Sequence, residues 1–131
     1  MTQVFSLVNF VAIGLGAMLG AWSRWGLSLW LNRGSDQFPT GTFVGNMLGG
    51  YIIGVAIAVV AAHPEWPPSV RLFLITGFLG ALTTFSSFSA ETFTFFEEGR
   101  IGLAVFYVIV SLVSSIALTG LGLLTVHFFK S

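Results

Sequence analysis

Cysteine is missing from all 131 residues, which excludes disulfides, thiol catalysis and cysteine-ligated metal. Charge is almost as scarce. Asp, Glu, Lys and Arg make up 8% of the chain, whereas soluble domains average about 25%. Five acids and five bases cancel to a net charge of zero, so the electrostatic footprint of a nucleic-acid binder is missing and nucleic acid is not an expected partner. The histidines, His63 and His127, stand at the ends of apolar segments. No base therefore pairs with the hydroxyls deeper in those segments, and an enzyme is not expected. What fills the chain instead is apolar: 55% hydrophobic residues, enough to make a water-soluble globule expose large aggregating patches. The sequence reads as a membrane protein.

Spanning a bilayer takes about 20 apolar residues, and four segments are long enough: 4–31, about 42–62, 72–96 and 101–129. The first closes at Asn32, Arg33 and Gly34 with Pro39 just beyond, and the second at the proline-rich run His63 to Pro68. The third ends at Glu97, Glu98, Gly99 and Arg100. Joining loops of under about ten residues make sequential helices antiparallel neighbours. This gives an all-α architecture, a single four-helix transmembrane domain over 1–131. The opening residues lack the basic stretch of a secretory signal, so the first segment is expected to stay in the mature protein.

The third segment contains the exception to its own apolar character. Thr83, Thr84, Ser86, Ser87 and Ser89 place five hydroxyls within seven residues, between Gly80 and the lone acid Glu91. Hydroxyls that bond nearby carbonyls bend or open a helix. Irregular backbone survives at membrane depth only against protein or a water-filled path. Residues 80–89 are therefore expected to form a break in the third helix, with Phe85 and Phe88 on or beside it.

Orientation is unbiased. With Arg24 set aside as lying within a segment, one membrane face carries Arg71 and Lys130, the other Arg33 and Arg100. Two against two gives the positive-inside rule nothing to act on. Such a chain can insert both ways and pair as an antiparallel dimer about an in-plane two-fold axis. The alternative is one fixed orientation set by weaker cues such as Glu97 and Glu98.

Gly16 and Gly20, and Gly41, Gly45 and Gly49, repeat at the spacing of close helix contacts. They are read as packing residues, including at a subunit interface. Tyr107, Ser111, Ser115 and Thr119 recur every four residues, and Thr42 and Asn46 do the same in the second segment. Spacing of four keeps side chains on one helix face. Such rows serve either as interhelical glue or as the wall of a polar path, and an amide as costly in lipid as Asn46 favours the path. Arg24 and Glu91 are ionisable groups at depth and functional candidates. A bland role exists for each: Arg24 can snorkel to the interface, and Glu91 can satisfy local hydroxyls. Uncharged donors with aromatic ring edges suit a small, strongly hydrated anion, which must bind well enough to enter yet weakly enough to leave. The same hydroxyls would also serve water, a neutral solute or a cation.

Three stretches carry a resemblance to a known family: Gly16 to Arg24, Gly41 to Gly50, and Thr76 to Glu91 with its Thr83, Thr84, Phe85, Ser86, Ser87, Phe88 core. The chain resembles the Fluc fluoride channels (the CrcB family) over nearly its whole length. The resemblance implies an antiparallel dual-topology homodimer in the bacterial inner membrane, with two separate pathways for passive fluoride export. It implies that Phe85 and Phe88 turn ring edges to the anion, and that Asn46 stands at a pore mouth with Thr42 one turn away. Tyr107, Ser111, Ser115 and Thr119 match a polar track with Glu91 beside it, and Arg24 belongs to the matching part of the first segment. The carbonyls of Gly80 and Thr83 match ligands of a structural Na+ ion where the third helices of two subunits cross.

Two other classes share some of these features. A small dual-topology, proton-coupled multidrug exporter needs an acid in its first helix, and segment one has none. An accessory subunit of a larger membrane complex would explain the glycines but not the aligned hydroxyls.

Overall fold

A computed structural model describes residues 5–32 and 38–130. Residues 1–4, 33–37 and 131 lie outside it. Among these are the expected start of the first segment, most of its stop, and Arg33 of the charge count. The described chain is all-helical, with four spans long and apolar enough to cross a membrane. The first is α1 (Leu7–Leu31) and the second α2 (Thr40–Ala62). The third, Pro68–Glu97, is built in pieces. These are α3 (Pro68–Arg71), a π-helical stretch (Leu72–Leu79), α4 (Gly80–Leu82) and α5 (Phe85–Glu97). The fourth is α6 (Ile101–Lys130).

Local chemistry explains most of the boundaries. Ser6 caps α1 by accepting the Asn9 N–H at 3.1 Å. Asn32 Oδ1 accepts the Gly41 N–H at 2.8 Å and so ties the end of α1 to the start of α2. Pro68 belongs to the third span and not to the stop before it. Proline fits the first helical position, where its missing N–H would have had no partner. Between α5 and α6, Gly99 has φ +75°, and the Arg100 N–H reaches back to the Phe95 carbonyl at 2.8 Å. That closes a helix end in the left-handed turn that glycine favours.

The break is narrower than residues 80–89. Only Thr83 (φ −93°, ψ 159°) and Thr84 (φ −153°, ψ 121°) leave the helical region, and helix resumes at Phe85. Two of the five hydroxyls account for this. Thr83 Oγ1 donates to the Leu79 carbonyl at 2.8 Å and finishes the upper half. Thr84 Oγ1 accepts the Ser87 N–H at 3.1 Å and caps the lower half.

Packing follows the glycines. The α1 helix lies along the π-helical stretch and α2 along α6. A Cβ on Gly16 would come within 2.9 Å of the Phe78 nitrogen, and one on Gly20 within 3.0 Å of the Leu82 nitrogen. Gly41 is covered by Ser28, Gly45 by the Leu82 carbonyl and Gly49 by the Thr83 side chain. All five of these glycines thus pack against atoms of their own chain. Apolar clusters fill two levels: Ala56, Leu79 and Leu82 around the break, and Phe95, Ala104 and Tyr107 below it. Large side chains such as Trp22, Ile109, Val113 and Ile116 are exposed on the outer faces, where hydrocarbon is the solvent. The protein is a multi-pass membrane protein.

Candidate functional site

Opening the third span releases backbone groups that an unbroken helix would satisfy. The Thr84 N–H, which would have bonded the Gly80 carbonyl, goes to Asn46 Oδ1 at 2.8 Å. Asn46 Nδ2 in turn donates to the Thr84 carbonyl at 3.2 Å. The Ser87 N–H, which would have served the Thr83 carbonyl, goes to Thr84 Oγ1. Arg24 turns its Nε to the Ala81 carbonyl, donating at 3.0 Å. A carbonyl left without a donor at the end of a half-helix carries partial negative charge and attracts a cation.

Beside the break lies a cleft of about 450 Å³. Asn46, Gly80, Thr83, Phe85, Phe88, Ser111 and Ser115 all line it. The two phenylalanine rings stand 5.8 Å apart between centroids at an interplanar angle of 46°. Phe85 is 80% exposed and Phe88 half-buried. On the α6 wall, Ser111 is 6% exposed and its hydroxyl has no hydrogen-bond partner among the described residues. A buried hydroxyl left unsatisfied costs on the order of 1–3 kcal/mol. Ser111 is one of the residues that line the cleft.

The other candidates sit around this cleft. Behind Phe88, Glu91 accepts from Thr42 Oγ1 at 2.7 Å and from Tyr107 OH at 2.8 Å. Three spans are thereby tied through one carboxylate. Tyr107 is fully buried, its ring 5.0 Å from Phe88, 5.2 Å from Phe38 and 5.9 Å from Phe95. Thr119 lies outside the cleft lining and acts as glue. Its hydroxyl donates to the Gly50 carbonyl at 2.9 Å and contacts the Ser115 carbonyl at 3.0 Å. The row on α6 is therefore chemically mixed: Tyr107 and Thr119 are committed to neighbouring helices, while Ser111 offers its hydroxyl.

Some of the site was not read from the sequence. In sequence Thr84 is one hydroxyl among five, although a threonine three residues ahead of Ser87 has the spacing of a helix cap. The π-helical stretch above the break and the leucine and isoleucine lining of the cleft (Ile53, Ile75, Leu79) carried no distinguishing pattern.

The model of the family described as "CrcB-like protein, Camphor Resistance (CrcB)" matches residues 11–123. The chain belongs to the CrcB family. A CrcB relative from Bordetella petrii is 54% identical over 130 residues, covering 99% of this chain and 100% of its own. Relatives from Pseudomonas putida (50% identical over 124 residues, 95% of this chain and 98% of the relative) and Thiobacillus denitrificans (48% over 124 residues, 95% and 100%) are similar along nearly their full lengths. Each bears the name "Fluoride-specific ion channel FluC", that of a channel and not of an enzyme. All the candidate residues fall inside the span that matches the CrcB model.

Proposed function

We propose that this chain is a fluoride-specific ion channel that lets F− leave a bacterial cytoplasm passively across the inner membrane. The observation that carries the reading is the cleft at the helix break. There the rings of Phe85 and Phe88 and the buried, unpartnered hydroxyl of Ser111 share one wall system. Ring edges carry partial positive charge, and a neutral hydroxyl gives a hydrogen bond without holding the ion as lysine would. The printed names of the relatives support the choice of fluoride.

In this reading the working unit is an antiparallel homodimer with two pathways. The even charge count supports it, and so does the position of the cleft: Phe85 is exposed in a single chain and needs a second surface to exclude lipid. Arg24, Thr42, Asn46, Glu91, Tyr107, Ser115 and Thr119 belong to the pathway or its frame. The carbonyls of Gly80 and Thr83 fit a sodium ion, because both have lost their helical donors to Asn46 and Thr84. Such unwound carbonyls are the usual ligands of alkali cations within membranes. The ion would supply positive charge near the pathway and hold the two breaks together.

A proton-coupled exporter is disfavoured by Glu91. It is the acid set deepest in a span, and both its oxygens already accept hydrogen bonds. Reconstituted in liposomes, the protein should release fluoride without ATP or a proton gradient and discriminate against chloride. Drug antiport without fluoride efflux would sink the proposal.

A further inference from the structure

We infer that Asn46 acts on ion passage as a positioning residue, by bracing the main chain at Thr84. The functional half of this inference rests on the channel reading above; the bracing itself does not.

The geometry is specific to one residue. Oδ1 of Asn46 takes the Thr84 N–H at 2.8 Å, and Nδ2 gives to the Thr84 carbonyl at 3.2 Å. An amide laid across both polar groups of one residue replaces the pairing a strand neighbour would give and fixes the peptide planes on either side. Thr84 needs this because its extended φ and ψ take it out of the helical ladder, and hydrocarbon offers an unpaired backbone group no substitute partner. The peptide whose carbonyl is held also carries the Phe85 N–H. The direction of the Phe85 Cα–Cβ bond, and with it the ring edge offered to the cleft, follows from the plane that Asn46 sets.

The approach of α2 supports the same role. Gly45, directly before Asn46, lets α2 press on the break: a Cβ there would stand 3.3 Å from the Leu82 carbonyl. Gly49, one turn on, makes room for the Thr83 side chain. The amide thus projects from a backbone that cannot recede without opening the glycine contacts. One Nδ2 hydrogen of Asn46 stays outside these bonds, so a direct ion contact has to be separated from bracing by experiment.

Asn46→Ala removes both bonds. Asn46→Asp keeps size and the acceptor for the Thr84 N–H but turns the donor into a second acceptor against the Thr84 carbonyl, and it serves if the alanine variant does not fold. In fluoride-free buffer, hydrogen exchange at amides 84–86 should rise by about tenfold or more in these variants, the signature of a locally opened backbone. Exchange across α6 residues 105–115 should stay as in the parent. A 4-fluorophenylalanine placed at position 85 should show its 19F resonance broadened or split. Unchanged exchange with an unchanged resonance, exchange that rises equally throughout α6, or fluoride efflux at the parent rate in a variant whose backbone has opened would each overturn the inference. Lack of fluoride efflux by the parent would remove the channel reading and leave the bracing test standing.

Discussion

Gly122 and Gly54 bring α6 and α2 together backbone to backbone. A Cβ on Gly122 would lie 2.9 Å from the Val55 nitrogen and 3.1 Å from the Gly54 Cα. Neither atom belongs to a flexible side chain that can give way. Gly122→Ala or Gly54→Ala should therefore lower stability by about 1–3 kcal/mol, the usual range for overpacking. Gly120→Ala supplies the control, since nothing lies within 4 Å of its added carbon, and it should be neutral or raise stability by up to about 1 kcal/mol through helix propensity. Denaturation in detergent would measure all three. Equal effects at 120 and 122 would contradict the close approach.

Tyr107→Phe keeps the aromatic packing but deprives Glu91 Oε1 of its donor. The expected loss is about 1 kcal/mol of stability, the worth of a hydrogen bond to a part-buried acceptor, with slower fluoride efflux. Thr42→Val should act in the same direction through Oε2. Because one carboxylate joins both, the double variant should cost less than the sum of the two.

Arg24→Met retains the stem and removes the Nε bond to the Ala81 carbonyl. The free energy of unfolding should fall relative to the parent by about 1–3 kcal/mol. Arg24→Lys should recover part of the loss because it keeps a donor. A snorkelling residue would tolerate both changes equally.

Phe85→Ile and Phe88→Ile preserve bulk and remove ring edges. Fluoride efflux from liposomes should drop about fivefold or more in each, since an aromatic contribution of roughly 1 kcal/mol is lost at each passage. The oligomeric state should not change. Full-speed flux in either variant would contradict the ring-edge role.

Replacing sodium by a bulky organic cation during purification should weaken subunit association if the Gly80 and Thr83 carbonyls hold the ion. Dimer dissociation followed by single-molecule or cross-linking methods would report this separately from flux.

The four spans were legible because long apolar runs leave helices as the only way to satisfy backbone in hydrocarbon. The break was legible in position but not in extent. A cluster of hydroxyls signals disruption without saying which one caps and which one back-bonds, and here Thr84 and Thr83 divide those tasks. The row on α6 was legible as a face but not in the partners of its members. Regular spacing placed Tyr107, Ser111, Ser115 and Thr119 on one face, yet Tyr107 bonds to α5 and Thr119 to α2. Asn46 drew notice for its polarity, while its hold on Thr84 is a contact across 38 positions of sequence that no local pattern encodes.

The wide-turned stretch Leu72–Leu79 bonds its N–H groups five residues back. It therefore accommodates a surplus residue that an ordinary helix of the same rise would not hold. Rewinding the stretch into ordinary helix with that residue kept would swing everything after it through roughly 100°. Phe85 would turn from the cleft to another side of the bundle, with no change to its own sequence neighbourhood. The aim of the rings is set partly by a length count made a full turn upstream.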